Sequence, residues 1–244
     1  MKIMLPLSLL AVTLAGCATP PQIASAPAEP APSFAGSVSA ADPRAQAAGE
    51  AMLARGGSAT DAAIAIMLAL TVVEPQSSGI GGGGFMVRGT ADGVVSTFDG
   101  RETAPAGATP EWFLDASGKL PPRSESVRSG LSVGVPGNIA LAAKAHAAHG
   151  KLPWADLFAP AIELARDGFE VNPRLNGMLA SAKDRSAHSA AARALYFEAS
   201  GEPRPVGAII VNETLAKTFE TIAEAGPGAF YSGALAQEIA STVA

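Results

Sequence analysis

Charge is scarce in this chain. Of 244 residues only 16% are Asp, Glu, Lys or Arg, and 17 basic against 22 acidic side chains leave a formal net charge of −5. No basic run and no basic face interleaved with aromatics occurs, so nucleic acid is not expected as a partner. Cysteine is scarcer still: Cys17 stands alone, which excludes an internal disulfide. Histidine is limited to three residues. His146 and His149 lie three apart on one helical face, but no third ligand stands at a suitable spacing, so they read as a solvated helix surface and no metal is expected. His188 lies in a polar, alanine-rich segment and points to no chemistry. No G-x-S-x-G elbow occurs, although a Ser-His-Asp arrangement assembled by folding stays open.

A phosphate-binding loop is also missing. The glycines of "GIGGGG" run into Phe85-Met86-Val87, a strand, where a P-loop needs a lysine and Ser/Thr opening a helix. A dinucleotide fingerprint needs the reverse order of elements, so no nucleotide cofactor, and no cofactor of any kind, is expected. The glycines instead allow two backbone layers to approach closely, or supply positive φ in a tight turn.

Apolar residues make up 48% of the chain, enough for a sizeable core in one large domain or two small ones. Lys2, the apolar stretch from Ile3 to Leu14 and small residues thereafter form a secretory leader, too short for a transmembrane helix. Leu14-Ala15-Gly16-Cys17 resembles the bacterial lipobox, in which the cysteine is lipidated and becomes the mature N-terminus; the alternative is an ordinary signal peptide with a chance cysteine. With Ala18 after it, Cys17 implies a lipid anchor in the outer membrane facing the periplasm. The expected organisation is a leader over 1–16, a Pro/Ala/Ser-rich tether over 17–41, and a domain over 42–244.

Within the domain, Asp42 with Pro43 starts a helix that Gly56-Gly57 ends, and Ser58 with Asp61 opens a second. "AAIAIMLALTVV" is apolar on every side, predicting a helix buried all round and stopped at Glu74-Pro75. The glycine turn then leads into a hairpin, Phe85 to Val87 and Val94 to Phe98, about the turn Ala91-Asp92-Gly93. "LSVGVPGN" reads as a short buried strand, and Asn138 onward as a helix to Gly150. Two short helices follow, punctuated by Pro160 and closed by Gly168, then a weakly helical stretch over 173–200. Asn212 caps a helix ended by Gly226-Pro227, and Ser232 begins another that runs to the last residue. The class is α+β.

At the hairpin's exit the little charge there is becomes concentrated, as Asp99, Arg101 and Glu102. An arginine just past a strand end projects from a rigid element, and its fork can grip a carboxylate bidentately. Asp99 and Glu102 would fix its rotamer. A surface salt-bridge cluster of little energetic weight is the other reading.

Five stretches in order, "GGSATDAAIA", "VEPQSSGIGGGGFMV", "DGRETAPAGATPEWFL", "SVGVPGN" and "HGKLPWADLFAPAIELARDGFEV", resemble the large-subunit half of the gamma-glutamyltransferases from about residue 40 onward. That resemblance implies the N-terminal nucleophile hydrolase fold, a four-layer αββα sandwich. It implies a precursor that cleaves itself into two subunits, and a new N-terminal threonine that attacks the γ-glutamyl amide of glutathione and related compounds. The threonine's own α-amine serves as base, and the γ-glutamyl group passes to water, an amino acid or a peptide. Arg101, in Asp99-Gly100-Arg101-Glu102-Thr103-Ala104-Pro105, inherits the grip on the α-carboxylate. No Thr-Thr pair occurs here, so the catalytic residues are expected in a small subunit of the same precursor, and this chain alone is expected to be inactive. A β-lactam acylase of the same fold and a non-catalytic lipoprotein are the alternatives. With half a sandwich present, a sheet face and the helix from Ala62 to Val73 are expected to lack their partners.

Overall fold

The computed structural model describes residues 36–243; the leader, Cys17 and the tether up to residue 35 lie outside the described residues. The elements are α1 (Pro43–Ala54), α2 (Ala59–Val73), β1 (Gly84–Gly89), β2 (Val95–Gly100), α3 (Arg123–Ser126), α4 (Asn138–His149), α5 (Ala159–Asp167), β3 (Phe169–Glu170), α6 (Pro173–Ser181), α7 (Lys183–Ser186), α8 (Ala190–Tyr196), β4 (Ile209–Ile210), α9 (Glu213–Ala225), α10 (Gly228–Tyr231) and α11 (Ala234–Val243). Short 3-10 turns cover Gly130–Ser132 and Trp154–Phe158. Among the described residues the strands form two antiparallel pairs, β1–β2 and β3–β4.

Capping chemistry sets the helix starts. Asp42 accepts from the Arg44 backbone N–H at 2.9 Å, and Pro43 occupies the first turn, where its missing N–H costs nothing. Arg44 returns through Nε and Nη2 to both Asp42 oxygens, at 2.8 and 2.7 Å, and Nη1 donates to the Glu170 carbonyl at 2.9 Å. Burial pushes the Asp42 carboxyl upward, but its bonds and charge pairing with Arg44 win and hold it below the usual 3.8. Ser58 and Asp61 form a reciprocal capping box at the start of α2. Asn172 and Asn212 cap α6 and α9 through Leu175 and Leu215. Gly168 and Gly226, at φ 91° and 83°, end α5 and α9 as expected.

Helix α2 is the centre of the core. Ile64, Ala65, Leu68, Ala69 and Val73 are all fully buried, sealed by α1, α4, α5 and the Trp154 turn. Burying each large aliphatic side chain here contributes about 1.5–3 kcal/mol. The expectation that this helix lacks partners is corrected for most of its surface, where α5 and the Trp154 turn, some ninety residues downstream, supply them, while the stripe of Ala63, Ile66, Met67 and Leu70 is half-buried. The few aromatics concentrate beside it. Trp154, Phe158 and Phe219 stack edge to face at 5.0 and 6.0 Å, and Trp154 Nε1 donates to the Ile222 carbonyl at 3.1 Å, tying in α9.

The hairpin behaves differently. Met86 and Phe98, directly paired across it, pack on Leu141 and Ala145 of α4. On the opposite face Phe85, Val87 and Val95 are 63, 69 and 66% exposed. A sheet face without a partner was expected, and this is where it lies. The stretch "LSVGVPGN", expected as a buried strand, is instead a 3-10 turn followed by a single bridge, Val135 to Thr103, with Leu131, Val133 and Val135 39–45% exposed. Gly134 and Pro136 break the run, and Pro136 has no N–H to extend a ladder.

Candidate functional site

Arg101 follows the last residue of β2, where the chain turns sharply. Asp99 Oδ1 accepts from the Arg101 backbone N–H at 2.9 Å, so Asp99 shapes the turn, and the expectation that it clamps the guanidinium is corrected. Glu102 takes that role: its Oε2 lies 3.3 Å from Arg101 Nη1, a charge contact beside a guanidinium that is 62% exposed. The arginine is thus biased in direction yet keeps most of its donors free for a ligand.

Three backbone layers meet behind it. An added Cβ at Gly83 would stand 2.4 Å from the Gly100 carbonyl and 2.7 Å from the Glu102 nitrogen; one at Gly137 would stand 1.9 Å from the Gly100 carbonyl. No side chain fits in either place. None of Gly79 and Gly81 to Gly84 takes a positive φ, and the close approach that requires glycine is at Gly83; an added Cβ at Gly81 would meet open space. The layers are stitched by the Gly137 and Asn138 N–H groups, which donate to the Gly82 carbonyl at 2.9 and 3.1 Å.

In front of Arg101 opens a cleft of about 640 Å³. Its wall is formed by Arg101, Glu102 and Thr103 together with Trp112, Phe113 and the Leu131–Gly134 run, with Gly134 directly against Glu102. Trp112 Nε1 donates to the Leu131 carbonyl at 2.8 Å and holds the two parts of that wall together. A second, mainly apolar cavity of about 500 Å³ shares Trp112, Leu131 and Val133 and reaches α11. Tyr231 closes part of it, donating to the Pro136 carbonyl and accepting from the Ala140 N–H, both at 2.9 Å. Burial raises the Tyr231 hydroxyl's pKa, against the lowering effect of the Ala140 N–H. A cationic fork, a neighbouring carboxylate and an open cleft suit a ligand carrying a free carboxylate, and such a ligand fits better where an ammonium accompanies it near Glu102.

The other candidates resolve as structure. Ser58, Asp61 and His146 do meet, but in the wrong order for nucleophilic catalysis. The Ser58 hydroxyl donates to Asp61 Oδ2 at 2.9 Å and not to the imidazole. Asp61, fully buried, also accepts from the Lys151 N–H at 2.9 Å, and His146 Nε2 lies 3.7 Å from its other oxygen. His146 is mostly buried, with Nε2 2.8 Å from the Leu152 carbonyl and its ring against Trp154, so its reading as solvated surface is corrected. His149 faces the Phe98 ring edge to face at 5.8 Å. The cleft walls were not legible beforehand: residues 105–113 carry no periodicity, and the alternation from Leu131 to Val135 read as a buried strand.

Comparison with known proteins fits this geometry. The family model described as gamma-glutamyltranspeptidase matches residues 45–244. The chain is 41% identical over 211 residues to the glutathione hydrolase proenzyme of Bacillus subtilis (strain 168), covering 85% of this chain and 35% of that protein. It superposes on the gamma-glutamyltranspeptidase of Helicobacter pylori with a TM-score of 0.80 at 34% identity, over 86% of this chain and 60% of that one. It also superposes on the cephalosporin acylase of Bacillus halodurans, with a TM-score of 0.73 at 33% identity, over 91% of this chain and 42% of that one. The α+β fold of the N-terminal nucleophile hydrolases expected from the sequence is thereby established. The chain spans 35% of the length of the first curated relative, and among the described residues only part of the sandwich is present.

Proposed function

The chain belongs to the gamma-glutamyltranspeptidase family, and we propose that the whole protein cleaves the γ-glutamyl amide of glutathione and related compounds, passing the γ-glutamyl group to water, an amino acid or a peptide. The observation that carries this reading is Arg101, exposed at the strand exit beside Glu102 and facing the cleft. Arg101 binds the α-carboxylate of the γ-glutamyl donor, with the reacting amide directed away from it. A threonine hydroxyl from the small subunit of the same precursor adds to the γ-carbonyl carbon. The amine departs with a proton, leaving a γ-glutamyl ester, and the acceptor's amine or water then takes the acyl group and restores the hydroxyl. No residue of this chain supplies that nucleophile, and the chain alone is inactive.

The same protein is exported and held at the outer membrane, facing the periplasm, by a lipid on Cys17. The Leu14-Ala15-Gly16-Cys17 stretch supports that placement. A β-lactam acylase is the second reading, favoured only by the likeness to the cephalosporin acylase.

Kinetics of the whole protein on a γ-glutamyl anilide test the carboxylate role. Because the contact is made equally before and during reaction, Arg101→Ala should raise KM about 10- to 100-fold with kcat little changed, matching the roughly 1.5–3 kcal/mol of a hydrogen bond to a charged group. A change in kcat/KM of less than about threefold would remove Arg101 from the site.

A further inference from the structure

Asn138 begins α4 and is only 8% exposed, an unfavourable place for a polar amide unless its groups are satisfied. Its Nδ2 donates to the Gly79 carbonyl at 2.7 Å, its backbone N–H donates to the Gly82 carbonyl at 3.1 Å, and its Oδ1 faces Gly84, where an added Cβ would stand 3.1 Å away. One residue therefore spans the glycine turn from Gly79 to Gly84. A turn built of glycines has no side chains to hold its shape and loses much conformational freedom on folding, so its position depends on bonds from outside.

That position matters at Arg101. Gly83 presses on Glu102 so closely that an added Cβ would lie 2.7 Å from its nitrogen and 2.8 Å from Oε2, the oxygen that sits 3.3 Å from Arg101 Nη1. We propose that Asn138 is a positioning residue for substrate binding. By pinning the glycine turn against Glu102, it aims the Arg101 guanidinium at the donor's carboxylate. The proposal rests on the reading of Arg101 as the carboxylate site, and Asn138 itself touches no substrate.

A double-mutant cycle in the whole protein tests it, with KM and kcat measured on a γ-glutamyl anilide. Asn138→Ala should raise KM about 3- to 10-fold while kcat stays within about twofold, the scale of one lost buried hydrogen bond. In an Arg101→Ala background the same substitution should change KM by less than about 1.5-fold, because the group it aims is gone. A merely structural asparagine would act equally in both backgrounds, and that result would overturn the proposal. So would an unchanged KM for Asn138→Ala beside a strong Arg101→Ala effect, which leaves the carboxylate reading standing. An inert Arg101→Ala would overturn both. Asn138→Asp has the same shape and sets an acceptor against the Gly79 carbonyl; it should raise KM at least as much, and supplies the reading where the alanine variant does not fold.

Discussion

The helical body and the hairpin rim of this chain both carry large apolar side chains and end in opposite states. Around α2, Ile64, Leu68 and Val73 are fully buried against α1, α5 and the Trp154 turn, while the stripe of Ile66, Met67 and Leu70 is half-buried. The hairpin seals one face through Met86 and Phe98 and leaves Phe85, Val87 and Val95 open. The candidate ligand-binding residues belong to the open region. Arg101 leaves the strand whose inner face is anchored on α4, and its guanidinium stands free at the cleft. The body supplies stability and the rim carries the proposed ligand contact, so substitutions in the two regions should be read by different instruments.

The largest effect on folding should come from the body. Leu68→Ala in the whole protein should lower unfolding free energy by about 2–5 kcal/mol in a denaturant titration, while KM stays unchanged. A cost below about 1 kcal/mol would mean that α2 is less tightly held than its burial implies. Next comes the polar clamp at the edge of the body. Asp42 titrates below its unfolded value, so its contribution is present at neutral pH and is lost as pH falls below 3.8 towards the lower folded value. Asp42→Asn should cost about 1.5–3 kcal/mol at pH 7, from lost bonds to a charged group, and should flatten the fall in stability on acidification. An unaltered pH profile would assign acid sensitivity elsewhere. The smallest effect concerns the rim. The polypeptide of this sequence alone should bind a hydrophobic dye, and Phe85→Ser with Val87→Ser should reduce that binding by roughly half. Unchanged binding would mean that the open apolar surface lies elsewhere.

Local chemistry made much of this fold legible. Asp42-Pro43, Ser58 with Asp61, and Asn212 act as caps where their types and spacings placed them, and the Ala91-Asp92-Gly93 turn does join two strands. The all-round apolar character of α2 announced burial, which holds except along the half-buried stripe of Ala63, Ile66, Met67 and Leu70. It said nothing of what does the burying, because α5 and the Trp154 turn meet it from about ninety residues away. The same limit explains the misread "LSVGVPGN". Its alternation suits a strand, but Gly134 and Pro136 leave one bridge, to Thr103. The place of Arg101 just past a strand end was legible from the apolar run before it, while the carboxylate role proposed for it came from the family resemblance. Glu102's contact with it, and the division of labour between Glu102 and Asp99, depended on a turn whose angle no pattern encodes. Asn138 gave no signal, since its partners are carbonyls of a distant glycine turn.

A structure of the whole protein with glutamate bound tests the central claim most directly. The Arg101 guanidinium should pair with the ligand's α-carboxylate at about 2.7–2.9 Å, with Glu102 still beside it. A ligand seated in the reactive centre while Arg101 points to solvent would contradict it.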